Sequence, residues 1–265
     1  MRPGTEPPGF FRRRHPLPTW FFPTVLTPSH EVDRLAFAND LRVSLYGTRL
    51  ELATPSASGR HGGLPVPKFE FFRWASVEDT REGVSRYLSP HHLRLLADGD
   101  AVDVRMMAAR FQDLVVTVID YGAVAHVVPW LTVGYHPLIV PLRGRGTFHC
   151  GAEVIEAETG VGVLASPSQP LWMRLDKGAV AFVLRINEQA IGRVRASSAG
   201  YLPSESLVLA PVLDVREGDG LSWWNRVRSC LRSDYPGAGA VSGVEEMLVR
   251  ELLSFQAYRV VPRAE

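Results

Sequence analysis

Short apolar runs, separated by turn residues, dominate the middle of the chain between residues 102 and 186. Each run is rich in β-branched or large apolar residues, and glycine, proline or an Asp-Lys-Gly turn separates most of them from the next. Closely spaced short strands with no helices between them predict an antiparallel sandwich or barrel rather than a parallel sheet. The seven predicted strands are Val102–Met107, Leu114–Asp120, Tyr135–Leu142, Gly146–Cys150, Val161–Leu164, Leu171–Leu175 and Ala179–Ile186.

Alternation within the last run indicates how its side chains divide between two faces. Phe182, Leu184 and Ile186 are two residues apart and therefore share one face of a strand, whereas Arg185 points to the other. The glycines of the segment Gly144–Gly146 have the spacing of a hairpin turn. Nothing helical follows them, so we do not expect a phosphate-binding loop there.

The pattern becomes helical on either side of the strands. Ser76, followed three residues later by Asp79, predicts the start of a helix that Pro90 ends, with His91 and His92 in the following loop. The fold class is therefore mainly β with C-terminal helices (α+β), an antiparallel β-barrel or sandwich packed by two to three helices. After the strands we expect helices over 187–198, 221–236 and 242–258, and a strand-like stretch over 207–215.

Two of the C-terminal helices carry apolar stripes. The helix from Leu221 places Trp224 in a core, while Trp223 is expected at an interface or the surface. The last helix has apolar residues off its main stripe as well, which suits a helix between the core and a partner subunit. We therefore expect its stripe to contact a partner subunit or the β-domain. The candidate dimer-interface residues are Val244, Leu248, Leu252 and Phe255.

The first 70 residues differ in composition from the rest, because ten of the 20 prolines fall there. Proline lacks an amide donor and fixes φ, so this composition disfavours helix and sheet interiors. We expect an irregular or disordered extension over residues 1–70 and one domain over residues 71–265.

Charge and cysteine content narrow the functional classes. The charges of the 29 basic and 28 acidic residues nearly cancel, whereas a domain that binds nucleic acid usually has an excess of basic residues. Cys150 and Cys230 lie far apart and do not have the spacing of a zinc motif. So few cysteines fit a protein of the reducing cytoplasm. No apolar run approaches the roughly 20 residues that span a bilayer, so we expect a cytoplasmic protein without membrane contact.

An ordered set of segments within residues 74–258 resembles the ligand-binding region of AraC-type transcription regulators, particularly those with an N-terminal cupin-like barrel. A helix ends near Ser89-Pro90-His91, and the strand segments then follow in the order and spacing of that family. These segments read DLVVTVIDYGA (Asp113–Ala123), YHPLIVPLRGRGTFHCGAE (Tyr135–Glu153), AETGVGVLASPSQPLWMRL (Ala157–Leu175) and AVAFVLRI (Ala179–Ile186).

This resemblance implies a cupin-like barrel that binds a small-molecule effector, helices that mediate homodimerisation, and a role in regulating transcription. In that family two helix-turn-helix motifs follow and read DNA. Here the sequence reaches Glu265 about where that module would begin. We therefore expect no direct DNA binding by these residues, no catalysis, and contact with DNA only through the missing C-terminal module of a full-length regulator.

Residues on the predicted barrel strands supply candidates for effector binding, since ligand pockets combine apolar walls with a few polar groups. Trp172 and Arg174 are two apart and share a face, but the pattern leaves open whether that face points inward or outward. The candidate ligand-binding residues are Tyr135, Phe148, His149, Trp172 and Arg174.

Two alternatives remain open. Metal-dependent cupin enzymes use a His-x-His pair on one strand face, but Thr147 stands two residues before His149. A rearranged set would need His126, His136 and His149, and ordinary hydrogen-bonded histidines are the simpler interpretation. We therefore predict no metal and no cofactor. The other alternative is an interaction protein that pairs with full-length regulators and has no ligand of its own.

Overall fold

The computed structural model describes residues 69–97, 102–130, 132–167, 169–196, 205–231 and 238–262. The predicted N-terminal extension therefore lies outside the described residues, except for Phe69 and Glu70, where the first strand begins. The strands are β1 (Glu70–Trp74), β2 (His91–Leu96), β3 (Val104–Arg110), β4 (Leu114–Asp120), β5 (Val124–Pro129), β6 (Tyr135–Arg143), β7 (Arg145–Cys150), β8 (Glu153–Glu158), β9 (Val161–Leu164), β10 (Leu171–Leu175), β11 (Val180–Asn187), β12 (Glu205–Leu209), β13 (Val212–Asp214) and β14 (Tyr258–Pro262). The helices are α1 (Val77–Ser85), α2 (Glu188–Ala196), α3 (Gly218–Cys230) and α4 (Ala238–Phe255).

Two antiparallel sheets pack face to face. The larger has seven strands in the order β1-β3-β4-β11-β6-β9-β13, and the smaller has five in the order β2-β5-β10-β7-β8. The predicted mainly-β fold with C-terminal helices is confirmed, as a sandwich rather than a closed barrel. The expected hairpin at Gly144 is wrong, because its positive φ of 74° turns the chain from β6 in one sheet into β7 in the other.

The central strands of the seven-stranded sheet are buried on both faces. Along β4 all seven residues are buried. Val115 and Ile119 face the smaller sheet, whereas Val116 and Val118 face the helices. A strand covered on both sides reads as a continuous apolar run rather than an alternating one. In β11 the predicted alternation is confirmed, with Phe182, Leu184 and Ile186 in the helix-facing core.

The helices pack against both sheets, α1 beside β1 and β2 and the other three on the larger sheet. Helix α1 begins at the predicted cap, where the Ser76 hydroxyl accepts a hydrogen bond from the Asp79 amide at 3.1 Å. Helices α2, α3 and α4 pack on the sheet face away from the smaller sheet. Trp224 packs edge-on against Phe182 at 4.8 Å, as predicted for a core residue. Trp223 is fully buried as well, contrary to the expectation of an interface or surface position.

The stripe proposed for dimerisation on α4 is used within the chain. Leu248 and Leu252 are buried in the core between the helices and the seven-stranded sheet, and Val244 and Phe255 pack partly buried against it. The Trp223 indole also donates a hydrogen bond to the carbonyl of Leu248 at 2.8 Å. The stripe therefore contacts the β-domain, which is one of the two contacts that the apolar pattern of this helix predicts. A partner contact through it stays a prediction.

Glu245 fastens α4 to the sheet. Its carboxylate is buried and accepts hydrogen bonds from the backbone amides of Asp113 and Leu114, each at 3.2 Å, at the start of β4. Burial raises the pKa of Glu245, and the nearby charge of Asp113 adds to this, while the two amide donors oppose it. Asp113 itself forms an ion pair with Arg193 of α2. One buried cluster therefore joins the sheet to both helices.

We expect Glu245→Ala to lower the free energy of unfolding by about 2 kcal/mol, because it leaves buried backbone amides without an acceptor. Glu245→Gln keeps an acceptor oxygen and should cost less. The measurement is urea unfolding at pH 7, and the matched control is Glu246→Ala, whose side chain pairs at the helix surface with Arg250. Equal losses for Glu245→Ala and Glu246→Ala would contradict the role of Glu245.

His136 is a buried histidine on the helix-facing side of β6. It has no exposed surface, and neither ring nitrogen has a hydrogen-bond partner among the described residues. Burial lowers the pKa of His136 to about 3. The ring is therefore neutral in the folded protein at pH 5, whereas in the unfolded chain, with a pKa near 6.5, it is protonated.

This difference predicts acid sensitivity. The stability that neutral His136 contributes is present above pH 6.5 and is lost as the pH falls, by about 2 kcal/mol at pH 5. We expect His136→Leu to lose less stability than the wild type between pH 7.5 and pH 5 in urea unfolding. The control is His126→Leu, at a half-buried position of the smaller sheet. An unchanged pH dependence in His136→Leu would contradict the prediction.

Candidate ligand-binding cavity

A cavity lies inside the sandwich, beneath α1 and the turn that follows it. Its volume is about 50 Å³. Both sheets contribute to its wall, and most of the lining is apolar. The lining residues are Val84, Leu88, Ser89, His91, Ile119, Tyr121, Val127, Pro129, Tyr135, Pro137, Ile139, Leu171, Met173, Leu175, Ala181 and Val183.

Polar side chains that contact one another lie at one end of this cavity. The Tyr135 hydroxyl donates a hydrogen bond to the Ser89 hydroxyl at 2.7 Å. The Arg185 guanidinium lies over the Tyr135 ring, 4.4 Å from its centroid, and donates to the carbonyl of Leu88 at 2.6 Å. Two strands of the larger sheet therefore hold the turn after α1 in place through side chains that reach across the cavity end.

His91 adds an acceptor to this end. Its Nδ1 lies 2.9 Å from the carbonyl oxygen of Ser89, which can only accept, so Nδ1 carries the proton in the neutral ring. Burial lowers the pKa of His91, which keeps the ring neutral at pH 7. The Nε2 lone pair is then free to accept a proton donor.

Two buried polar atoms of this group have no partner among the described residues, namely His91 Nε2 and Arg185 Nε. Buried polar groups are normally hydrogen-bonded, and an unpaired one costs about 1–3 kcal/mol. The cavity end therefore offers the His91 acceptor beside an apolar wall, and the Arg185 cation lies against the Tyr135 ring of that wall. A small molecule with an apolar body and one polar end has the complementary chemistry.

The residues expected to bind an effector separate into two groups. Tyr135 lines the cavity, and Phe148 is fully buried between the sheets but outside the cavity wall. His149, Trp172 and Arg174 lie on the outer face of the five-stranded sheet, where the His149 and Trp172 rings stack at 3.7 Å. The structure therefore does not bring these three to the cavity.

The cavity is lined by residues that the sequence interpretation did not select, namely Ser89, His91 and Tyr121. Arg185 lies outside the lining, against the cavity residues Tyr135 and Leu88. The signal for Arg185 was present, since it is a lone charge within an apolar strand and was placed on the face opposite Phe182. His91 was assigned to a loop, but it begins β2. Its role depends on α1 folding over the sheet edge, which no local pattern encodes.

The histidines of the metal hypothesis lie on different faces. His126 and His149 belong to the outer face of the five-stranded sheet, and His136 faces the helices. Within the described residues no group of three His, Cys, Asp or Glu side chains is close enough to hold a metal ion. In the same part of the chain, no helix has the length and apolar character to cross a membrane.

Comparison with known families supplies the assignment. The sequence matches the model of the AraC-binding-like domain over residues 80–254, which is more than half of the chain. The chain belongs to this family. It is therefore a ligand-binding regulatory domain of the AraC type, and the resemblance drawn from the strand segments is confirmed.

One solved structure supports the same fold, and others are similar over smaller parts of the chain. The AraC-like transcriptional activator CuxR is similar over 71% of this chain and 72% of its own, with 12% identity and a TM-score of 0.50. A cupin-2 domain from Rhodospirillum rubrum is similar over 41% of this chain and 84% of its own, with 14% identity and a TM-score of 0.28. KdgF from Halomonas sp. is similar over 36% and 87%, with 10% identity and a TM-score of 0.30. No curated protein matches the sequence.

We expect Arg185→Met to loosen the turn after α1, because the Leu88 carbonyl loses its donor and the Tyr135 ring loses its cation. Amide hydrogen exchange of residues 86–91 should accelerate relative to the wild type, while exchange in β4 stays slow. Arg174→Met is the control, since Arg174 pairs with Asp176 on the outer face. Equal exchange in Arg185→Met and the wild type would show that Arg185 does not hold the turn.

Proposed function

We propose that this AraC-binding-like domain senses a small effector in the cavity of the sandwich and, as a homodimer, transmits its presence to a transcription regulator. The observation that carries the proposal is the group of Ser89, His91 and Tyr135 at the end of a mostly apolar cavity, with Arg185 against the Tyr135 ring. The proposed role is binding rather than catalysis. DNA is contacted by a helix-turn-helix module of the full-length regulator, and the protein acts in the cytoplasm, which its two free cysteines support.

The chemistry of the cavity defines the class of effector. The apolar wall favours a compact apolar body, and the small volume excludes large ones. The Arg185 guanidinium favours an anionic or strongly polarised oxygen, and His91 Nε2 favours a hydroxyl proton. We therefore propose a small aromatic or aliphatic molecule that carries a carboxylate or hydroxyl group.

A short path links the cavity end to the helices. Arg185 contacts Tyr135 and Leu88 of the cavity wall, while its neighbour Ile186 faces the helices. The next residue, Asn187, donates its backbone amide to the Asp113 carbonyl at 3.0 Å, and the Asp113 amide in turn bonds to Glu245 of α4. An effector that displaces the end of β11 therefore alters the support of α4. It shifts a regulatory equilibrium only as far as it binds one arrangement more tightly than the other.

Calorimetric titration with benzoate, phenol and benzyl alcohol tests the cavity. We expect at least one to bind the wild type and to raise its melting temperature, because a ligand at 100 times its Kd stabilises the fold by about 2.7 kcal/mol. Ala181→Phe fills the cavity from β11 and should abolish binding. Arg185→Met should weaken the acid more than the alcohols.

Trp172→Ser is the matched control, because Trp172 lies on the outer face and away from the cavity. It should bind the same compounds with unchanged affinity. Binding that survives Ala181→Phe, or that Trp172→Ser abolishes, would place the effector elsewhere and overturn the proposal.

A further inference from the structure

The outer face of the five-stranded sheet exposes a row of aromatic and apolar side chains. Backbone register places one residue of each strand in this row, and Trp172 of the central strand β10 occupies its middle. Trp130 extends the row beyond β2, where its ring lies 5.8 Å from the His92 ring. From β2 to β8 the row consists of His92, Val128, Trp172, His149 and Val154.

These side chains are exposed to a degree unusual for their type. Val154 is 60% exposed, Trp130 59%, Val128 42% and Trp172 37%. The His149 ring stacks flat on Trp172, with ring planes 16° apart, so the indole is held in one orientation without being covered. Contiguous exposed apolar surface with a fixed aromatic at its centre is typical of protein interfaces, in which central tryptophans contribute much of the binding free energy.

Charge is distributed unevenly on either side of this centre. The next row across the sheet begins with Arg94 on β2 and ends with Glu156 on β8. Arg94 makes no ion pair with any residue that the structure describes, whereas Arg174 at the centre of this row is paired with Asp176. The face is therefore basic toward β2, acidic toward β8 and neutralised in the middle.

We propose that this face is the site where a second copy of the chain docks, with a twofold axis parallel to β10. Such an axis places β2 of one copy over β8 of the other and leaves β10 opposite itself. Trp172 then meets Trp172 of the second copy, and Arg94 meets Glu156 of the second copy. The apolar row covers its own counterpart, and each basic edge faces an acidic one.

The size of the face is sufficient for such a contact. Five strands at about 4.8 Å spacing and six residues at about 3.3 Å rise give a projected area of roughly 500 Å². Protruding side chains increase the accessible area beyond this projection, so the face is of the order of the about 800 Å² per partner that standard interfaces bury. The proposal takes from the proposed function only the statement that the chain works as a dimer. It places the interface opposite α4 rather than on it.

Sedimentation equilibrium of the full chain, its Arg94→Glu, Glu156→Arg and Trp172→Ser variants, and the Arg94→Glu/Glu156→Arg double variant tests this docking. We expect the wild type to dimerise and each single variant to raise the dimer Kd at least tenfold. The double variant exchanges the charges and should restore the Kd to within about threefold of the wild type, since opposite signs meet again. Tyr258→Ser, at a 50% exposed aromatic outside this face, is the matched control and should leave the Kd unchanged.

The outcomes separate this interface from the rest of the proposed function. A wild type that is monomeric at every concentration overturns both the interface and the dimer. A dimer that survives Trp172→Ser and both charge variants overturns only the interface. The interface is supported if the Trp172→Ser variant is monomeric, still binds the cavity probe benzoate and has the same melting temperature as Tyr258→Ser.

Discussion

The structure depends on the burial of the central strands β4 and β11 from both sides. Each of these strands places alternate side chains into two different cores, one between the sheets and one beneath the helices. Neither layer could be removed without exposing apolar surface on the strands that form the other, and such exposure costs about 25 cal/mol for each Å². The helical layer is therefore part of the domain and not an accessory to it.

Buried polar groups lie at the end of the larger sheet, where β4 begins and β11 ends. The cavity group of Tyr135 and Arg185 lies on one face, and the cluster of Glu245 with Asp113 lies on the other. Only the thickness of the sheet separates them. In a low-dielectric interior such groups are strongly coupled to their donors and acceptors, so a change in one hydrogen bond is felt by its neighbours. This arrangement connects the cavity wall to helix α4 through a short series of contacts.

Sequence reasoning predicted the parts of the fold that local pattern determines. The bounds of β4, β9 and β10 match the apolar runs, because each is bordered by turn residues. Strand β8 was missed, since its sequence EVIEAE carries three acids and it forms an edge of the smaller sheet. The last helix was expected to reach Tyr258, but Tyr258–Pro262 pairs as β14 with β12, and only tertiary contacts provide that partner.

The candidate site was predicted less well, for a physical reason. In strand β10 Leu171, Met173 and Leu175 face inward and are buried, whereas Trp172 and Arg174 face outward, where Arg174 is paired with Asp176. Arg185, by contrast, points into the sandwich, because the Tyr135 ring and the Leu88 carbonyl compensate the loss of its hydration there. Which arginine is buried depends on partners distant in sequence, and a single strand does not reveal them.

Helix α4 is attached to the β-domain at two points, one near its middle and one just beyond its C-terminal end. Glu245 holds its first half at β4, and beyond its last turn the Gln256 amide donates to the carbonyls of Ala210 and Val212 at 2.7 and 3.0 Å. A rod fixed at two points cannot slide along its axis or swing about one end without breaking an attachment. Rolling about the long axis would carry the off-axis Glu245 carboxylate away from the amides of Asp113 and Leu114 as well. While these hydrogen bonds persist, the helix can move only together with the start of β4.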